Sequence, residues 1–149
     1  MTLRAARADD ASLIRDWRND ADTVRSSAIA RPVSEAEHAR WFAAALADPH
    51  RRLWVAEEHG VPVGQVRVDV NGEAGVFSIV VAPAHRGRGL GQAMLRGALS
   101  EVEREGTATR LTALVREENL ASMHAFEQVG FSRTGLSGDG FVAFELTLA

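Results

Sequence analysis

The sequence predicts an α/β (α+β) fold in one domain: a mixed, mostly antiparallel central sheet flanked by helices, in the order β-α-α-β-β-β-α-β-α-β-β. Three observations carry that reading. Short apolar runs separated by glycine turns fill the middle of the chain, from Arg52 to Val81. A glycine-rich stretch, His85 to Gln92, stands between the last of those runs and a helical pattern. Further helical patterns lie before and after, enough to cover both faces of a sheet. The 149 residues suit one domain with a sizeable core, and no repeat or linker divides 1–149.

Residues 2–7 alternate weakly and read as a first strand. Ala8–Ser12 then offers an N-cap, and Leu13, Ile14 and Trp17 take helical spacing up to about Asn19. The polar stretch with Asp20, Asp22, Thr23 and Val24 reads as a loop or a short helical turn, and Arg31–Pro32 breaks the chain. Ser34 followed by Glu37 is a capping box. The helix it opens carries Ala39, Trp41, Phe42, Ala45 and Leu46 and stops at Asp48–Pro49. Arg52–Glu57, Val63–Val70 and Ala74–Val81 form a meander, with turns at His59–Gly60–Val61–Pro62 and Asn71–Gly72. Leu90–Arg104 puts Leu90, Met94, Leu95, Ala98, Leu99 and Val102 on one stripe, ended by Gly106. Strand Arg110–Val115, helix Asn119–Val129 with Gly130 as its left-handed cap, and strands Phe131–Leu136 and Phe141–Leu148 complete the order, the last two joined by Ser137–Gly138–Asp139–Gly140.

Composition excludes several classes. A net charge of −3 gives no electrostatic footprint for nucleic acid. With no cysteine there are no disulfides, zinc–thiolate sites or thiol nucleophiles, and no metal site is expected. No apolar run approaches a membrane span, and Met1–Arg7 lacks the apolar core of a signal peptide. The expectation is a soluble, cytoplasmic protein.

The glycine-rich stretch carries the chemistry. Gly87, Gly89 and Gly91 let the backbone reach positive φ and approach a ligand closely. The N–H groups of the helix that follows make an anion site, and Arg86 and Arg88 add charge suited to phosphate. It is not a mononucleotide P-loop, which needs a lysine that the chain lacks altogether. Nor does Gly87-x-Gly89-x-Gly91 match the dinucleotide spacing.

Residues 86–91, taken as Arg/Gln-x-x-Gly-x-Gly/Ala directly after a strand, resemble the acetyl-CoA pyrophosphate loop of the GCN5-related N-acetyltransferases, the GNAT family. A second stretch, Glu118 to Phe131, is similar to the family's Asn-x-x-Ala/Ser-x-x-x-Tyr/Phe-x-x-x-Gly-Phe segment. The two motifs span residues 74–131, and the remaining element order agrees with the GNAT fold. The resemblance implies transfer of an acetyl group from acetyl-CoA to an amine. It implies that main-chain groups of Ile79 and Val81 pair with the pantetheine arm and that amides of residues 87–92, including Leu90 and Gln92, hold the pyrophosphate. Asn119, Ser122 and Phe126 then lie along pantetheine and the sulfur, although Asn119 reads equally as a helix N-cap and Phe131 as core.

Two departures from the family stand out. Phe126 occupies the position where many relatives place a tyrosine acid, and Leu114 the position where the ribosomal-protein N-terminal acetyltransferases place a glutamate. Proton handling falls to weaker candidates: His38, Glu73 and Ser122, with His124 a further histidine in the motif helix. Acceptor-binding candidates are Trp17, Arg18, Asn19, Arg25, His38 and Trp41, a pattern that resembles the subgroup acetylating amino sugars on nucleotides, as in pseudaminic-acid synthesis. A core role for Trp17, Trp41 and Phe42 is the alternative. A 4-amino-sugar nucleotide is the favoured acceptor; protein N-termini and small molecules such as aminoglycosides or amino acids are rivals. A CoA-binding regulatory module without turnover is the reading from another class, and a homodimer through the last strands is compatible with all of them.

Overall fold

Alternation along the central strands sorts side chains to two faces of one sheet. A computed structural model describes residues 1–27, 30–137 and 139–148. Its seven strands are β1 (Thr2–Ala5), β2 (Arg51–Glu58), β3 (Val61–Asn71), β4 (Ala74–Val81), β5 (Arg110–Arg116), β6 (Ser132–Leu136) and β7 (Phe141–Thr147). They lie in the order β1-β2-β3-β4-β5-β7-β6. Every neighbour pair is antiparallel except β4–β5. Five α-helices flank them: α1 (Ala11–Asn19), α2 (Ala21–Ser26), α3 (Glu35–Ala47), α4 (Leu90–Glu105) and α5 (Leu120–Gln128).

Each face has its own core. Val66 and Val68 of β3, Phe77 of β4 and Leu111, Ala113 and Val115 of β5 pack against Met94, Leu95 and Ala98 of α4 and Phe126 of α5. On the opposite face, Leu53 and Val55 of β2 pack against Ile14 and Trp17 of α1 and Phe42 of α3.

Local signals explain most boundaries. Ser34 Oγ accepts from the Glu37 amide at 3.1 Å and starts α3, and Asn119 Oδ1 accepts from the Ser122 amide at 3.2 Å and starts α5. Gly106 takes φ 73° at the end of α4. The polar stretch after Asn19 folds as α2 because Asp20 caps it, accepting from the Thr23 amide at 3.3 Å. The β3–β4 turn falls on Gly72–Glu73 and not on Asn71–Gly72: Asn71 remains in the ladder opposite Ala74. Of the expected loop between the last two strands, Gly138 lies outside the described residues.

One junction positions the site. β4 and β5 pair over three positions only, Ala74↔Arg110, Gly75↔Leu111 and Val76↔Thr112. Beyond them β4 stays in register with β3 as far as Val81, while β5 stays with β7 as far as Arg116. The two strands therefore part, and a gap opens in the sheet.

Candidate active site

The gap leads into a cleft of about 1070 Å³. It is walled by the end of β4 (Ile79–Val81), the glycine loop, the first turns of α5 and one side of α2. The Ala82 amide donates to Val63 O on β3 at 2.8 Å. Backbone groups alternate sides along a strand, so those of Ile79 and Val81 point the other way, toward the gap. Residues 77–81 have no strand partner on that side among the described residues.

The loop glycines serve different ends. Gly87 and Gly89 have φ of 79° and 73°, and a Cβ on either would meet nothing within 4 Å. Left-handed backbone and open space together leave the amides before α4 accessible to an anion. Gly91 instead faces Ile79 and Ala125, where an added Cβ would make ordinary contact at 3.4 and 3.5 Å.

Of the residues expected to hold the cofactor, Ile79, Val81, Arg86, Gly87, Gly89, Leu90, Gly91, Gln92, Asn119 and Ser122 all line the cleft. Arg88 does not: it turns to Glu58 at 2.7 Å and to His85 Nδ1 at 3.1 Å. Arg86 lines the cleft with its charge already paired, to Asp20 at 2.9 Å and Asp22 at 3.3 Å. Asn119 caps α5 and also reaches Ser26 Oγ at 3.4 Å. Phe126 is placed in the core and not on the cleft wall, edge-on to Phe131 at 5.1 Å and stacked on Phe144 at 5.9 Å.

The proton-handling candidates separate sharply. Glu73 sits in the β3–β4 turn, at the opposite end of β4 from Val81. At about 3.3 Å per residue the eight-residue strand holds it roughly 25 Å away, too far to act in the cleft. His38 is buried between the Trp41 and Phe42 rings, at 5.6 and 5.7 Å, and is not among the cleft-lining residues. Burial, together with the charges of Arg15 and Arg18, pushes its imidazole below the usual histidine range, so it packs as a neutral ring. Ser122 remains, half-buried in the first turn of α5, and His124 is exposed on the same wall.

The acceptor candidates also divide. Trp17 is core. The Asn19 amide pairs with the Val33 main chain, accepting from its N–H at 2.7 Å and donating to its carbonyl at 2.8 Å. That pair ties Asn19 to Val33 across the chain, and Asn19 is not among the cleft-lining residues. Trp41 packs beside His38 and carries the Arg67 guanidinium 5.4 Å over its ring. Arg18 lies outside the cleft lining, and burial and the nearby Arg31 push its guanidinium below its usual value. Arg25 alone of this group lines the cleft, paired with Asp22.

Arg116 is a site residue that sequence reasoning missed. It lines the cleft and donates to Ser27 O at 3.1 Å and Asp139 O at 3.0 Å, with its guanidinium 4.2 Å from the Phe141 ring centre. Those partners lie 23 and 89 residues away in sequence, so no local signal announces them.

A parted parallel strand pair thus lies beside a glycine loop at a helix N-terminus. The chain belongs to the acetyltransferase (GNAT) family, whose model matches residues 12–131. It is 39% identical over 70 residues to the uncharacterized N-acetyltransferase YobR of Bacillus subtilis, covering 47% of this chain and 28% of that protein. It is 40% identical over 60 residues to the ribosomal protein bS18-alanine N-acetyltransferase of Escherichia coli K12, covering 40% of each. The chain thus spans less than half the length of these relatives. Among solved structures it resembles yncA of Salmonella typhimurium, a putative acetyltransferase with its cofactor acetyl-CoA, at TM-score 0.82 and 25% identity, over 100% of this chain and 94% of that one.

Proposed function

We propose that this chain is an acetyl-CoA-dependent N-acetyltransferase acting on a primary amine. The observation that carries the reading is the end of β4 at Ile79–Val81, which has no strand partner on its gap side among the described residues, set beside the open amides of the Gly87–Gly91 loop. An extended amide-bearing arm fits the strand edge, and a diphosphate fits the loop and the α4 N-terminus. Acetyl-CoA supplies an activated thioester there. The chain's own residues do the rest. Main-chain groups of Ile79 and the N–H of Val81, whose carbonyl already accepts from Arg86, would fix the arm, amides of residues 87–92 would hold the diphosphate, and the first turn of α5 places N–H dipoles at the cleft wall where the thioester would end. With Phe126 buried, the Ser122 hydroxyl is the group we assign to donate to the departing sulfur.

For the acceptor we keep the amino-sugar nucleotide, a small amine with an anionic tail. Arg25 on the cleft wall supports it; stacking on Trp17 does not, because that ring is core. The experiment is calorimetric binding of acetyl-CoA followed by CoA-thiol release across 4-amino-sugar nucleotides, N-terminal peptides and aminoglycosides. Binding with turnover on the sugars is the expected result. Turnover on another amine reassigns the acceptor, binding without any turnover favours a regulatory module, and no binding overturns the whole reading.

A further inference from the structure

Arg86 stands first in the glycine loop, yet its side chain turns away from the loop amides. Its Nε donates to Val81 O at 3.2 Å, a carbonyl on the gap side of β4. Its Nη2 lies 2.9 Å from Asp20 Oδ2 and 3.2 Å from Thr23 Oγ1, and its Nη1 3.3 Å from Asp22 Oδ2. Asp20 is itself the cap of α2. One guanidinium thus joins the cofactor-facing strand to the helix that forms the opposite wall.

α2 is a small element beside α1. It has six residues and none is buried. Its other ties to the site among the described residues are polar: Asn119 to Ser26 Oγ, and Arg116 to the carbonyl of its C-cap Ser27. A helix this short has no stability of its own and keeps its place through such contacts.

We propose that Arg86 is a positioning residue, which seats α2 against β4 and thereby shapes the acceptor wall, and is not a phosphate ligand. The inference rests on the acetyl-CoA reading only in naming the ligand that Arg86 does not grip. Each of the three guanidinium nitrogens already has a protein partner, Nε the Val81 carbonyl, Nη1 Asp22, and Nη2 Asp20 and the Thr23 hydroxyl, so the fork is engaged within the protein. The diphosphate is then held by main-chain amides alone.

The test uses the full chain and two readouts, the dissociation constant of CoA by calorimetry and amide hydrogen exchange of the peptide covering 20–27. Arg86→Gln is expected to change CoA affinity by less than about threefold while speeding exchange of that peptide by at least about tenfold. Exchange across 90–105 should stay as in the wild type, which shows that the variant is folded. Arg86→Lys, which keeps charge but loses the fork, should restore protection in part. Asp20→Asn combined with Arg86→Gln should add less than the two single effects summed. A CoA affinity lowered about tenfold or more by Arg86→Gln, or unaltered exchange at 20–27, overturns the proposal. Failure of the wild type to bind CoA would instead overturn the acetyl-CoA reading, while the exchange comparison still decides what Arg86 holds.

Discussion

At the scale of single residues, the side chains divide between those the cleft uses and those the core has taken. Gly89 belongs to the cleft: its φ of 73° and the empty space around its missing Cβ are both needed there. Gly89→Ala should cost about 1 kcal/mol of stability for the left-handed backbone, with CoA affinity lowered modestly. Gly89→Glu should cost about the same stability yet lower CoA affinity by at least about tenfold, because a carboxylate then faces the diphosphate; calorimetry on the two variants separates strain from charge. Ser122 makes a second case. If its hydroxyl donates to the leaving sulfur, Ser122→Ala lowers kcat by about tenfold or more with the CoA dissociation constant unmoved. Equal kcat in variant and wild type rules that role out. His38 belongs to the core, and its pH behaviour follows from its lowered pKa. The unfolded chain binds a proton near pH 6.5, while the folded chain resists until lower pH. The stabilising effect is therefore complete above that value and is lost as pH falls through the folded pKa. Urea unfolding from pH 7.5 to 5 should show this loss, and His38→Phe should flatten it.

At the scale of elements, local chemistry was legible and distant partnership was not. The caps at Ser34 and Asn119 and the stop at Gly106 were readable because each is decided within four residues by backbone valence. The strands of the meander and the stripe of α4 were readable because burial imposes a period. α2 was only half legible, since Asp20 looks like any loop aspartate until Arg86 is found beside it, 66 residues on. The structural tie of Asn19 is illegible for the same reason, its partner Val33 lying 14 residues on with no periodicity between them. Glu73 was misplaced because a sequence shows that a residue precedes a strand, but not which end of that strand meets the cleft. Packing between elements gives a further test. Gly64 of β3 lies where a Cβ would come within 2.7 Å of Val80 O and 2.8 Å of the Met94 side chain. Gly64→Ala should destabilise by about 1–3 kcal/mol, read as a lower urea midpoint with an unchanged slope.

At the scale of the whole molecule, the sheet is two antiparallel blocks, β1–β4 and β5–β7, joined edge to edge by three parallel register pairs. That junction has a consequence for how the chain folds. The β2–β3 hairpin turns on His59–Gly60, both at positive φ, and the β3–β4 hairpin on Gly72–Glu73. Such tight reversals close on the microsecond scale. The junction instead joins residues 74–76 to 110–112, across the whole of α4, and must wait for that loop to close. Pulse-labelling exchange during refolding should find amides of β2 and β3 protected before those of 110–112; the reverse order would refute this sequence of events. The cleft is then a late product of assembly, absent from every intermediate in which only the first block has formed. A chain emerging from the ribosome would have no such cleft until α5, which forms one of its walls, had been made and docked.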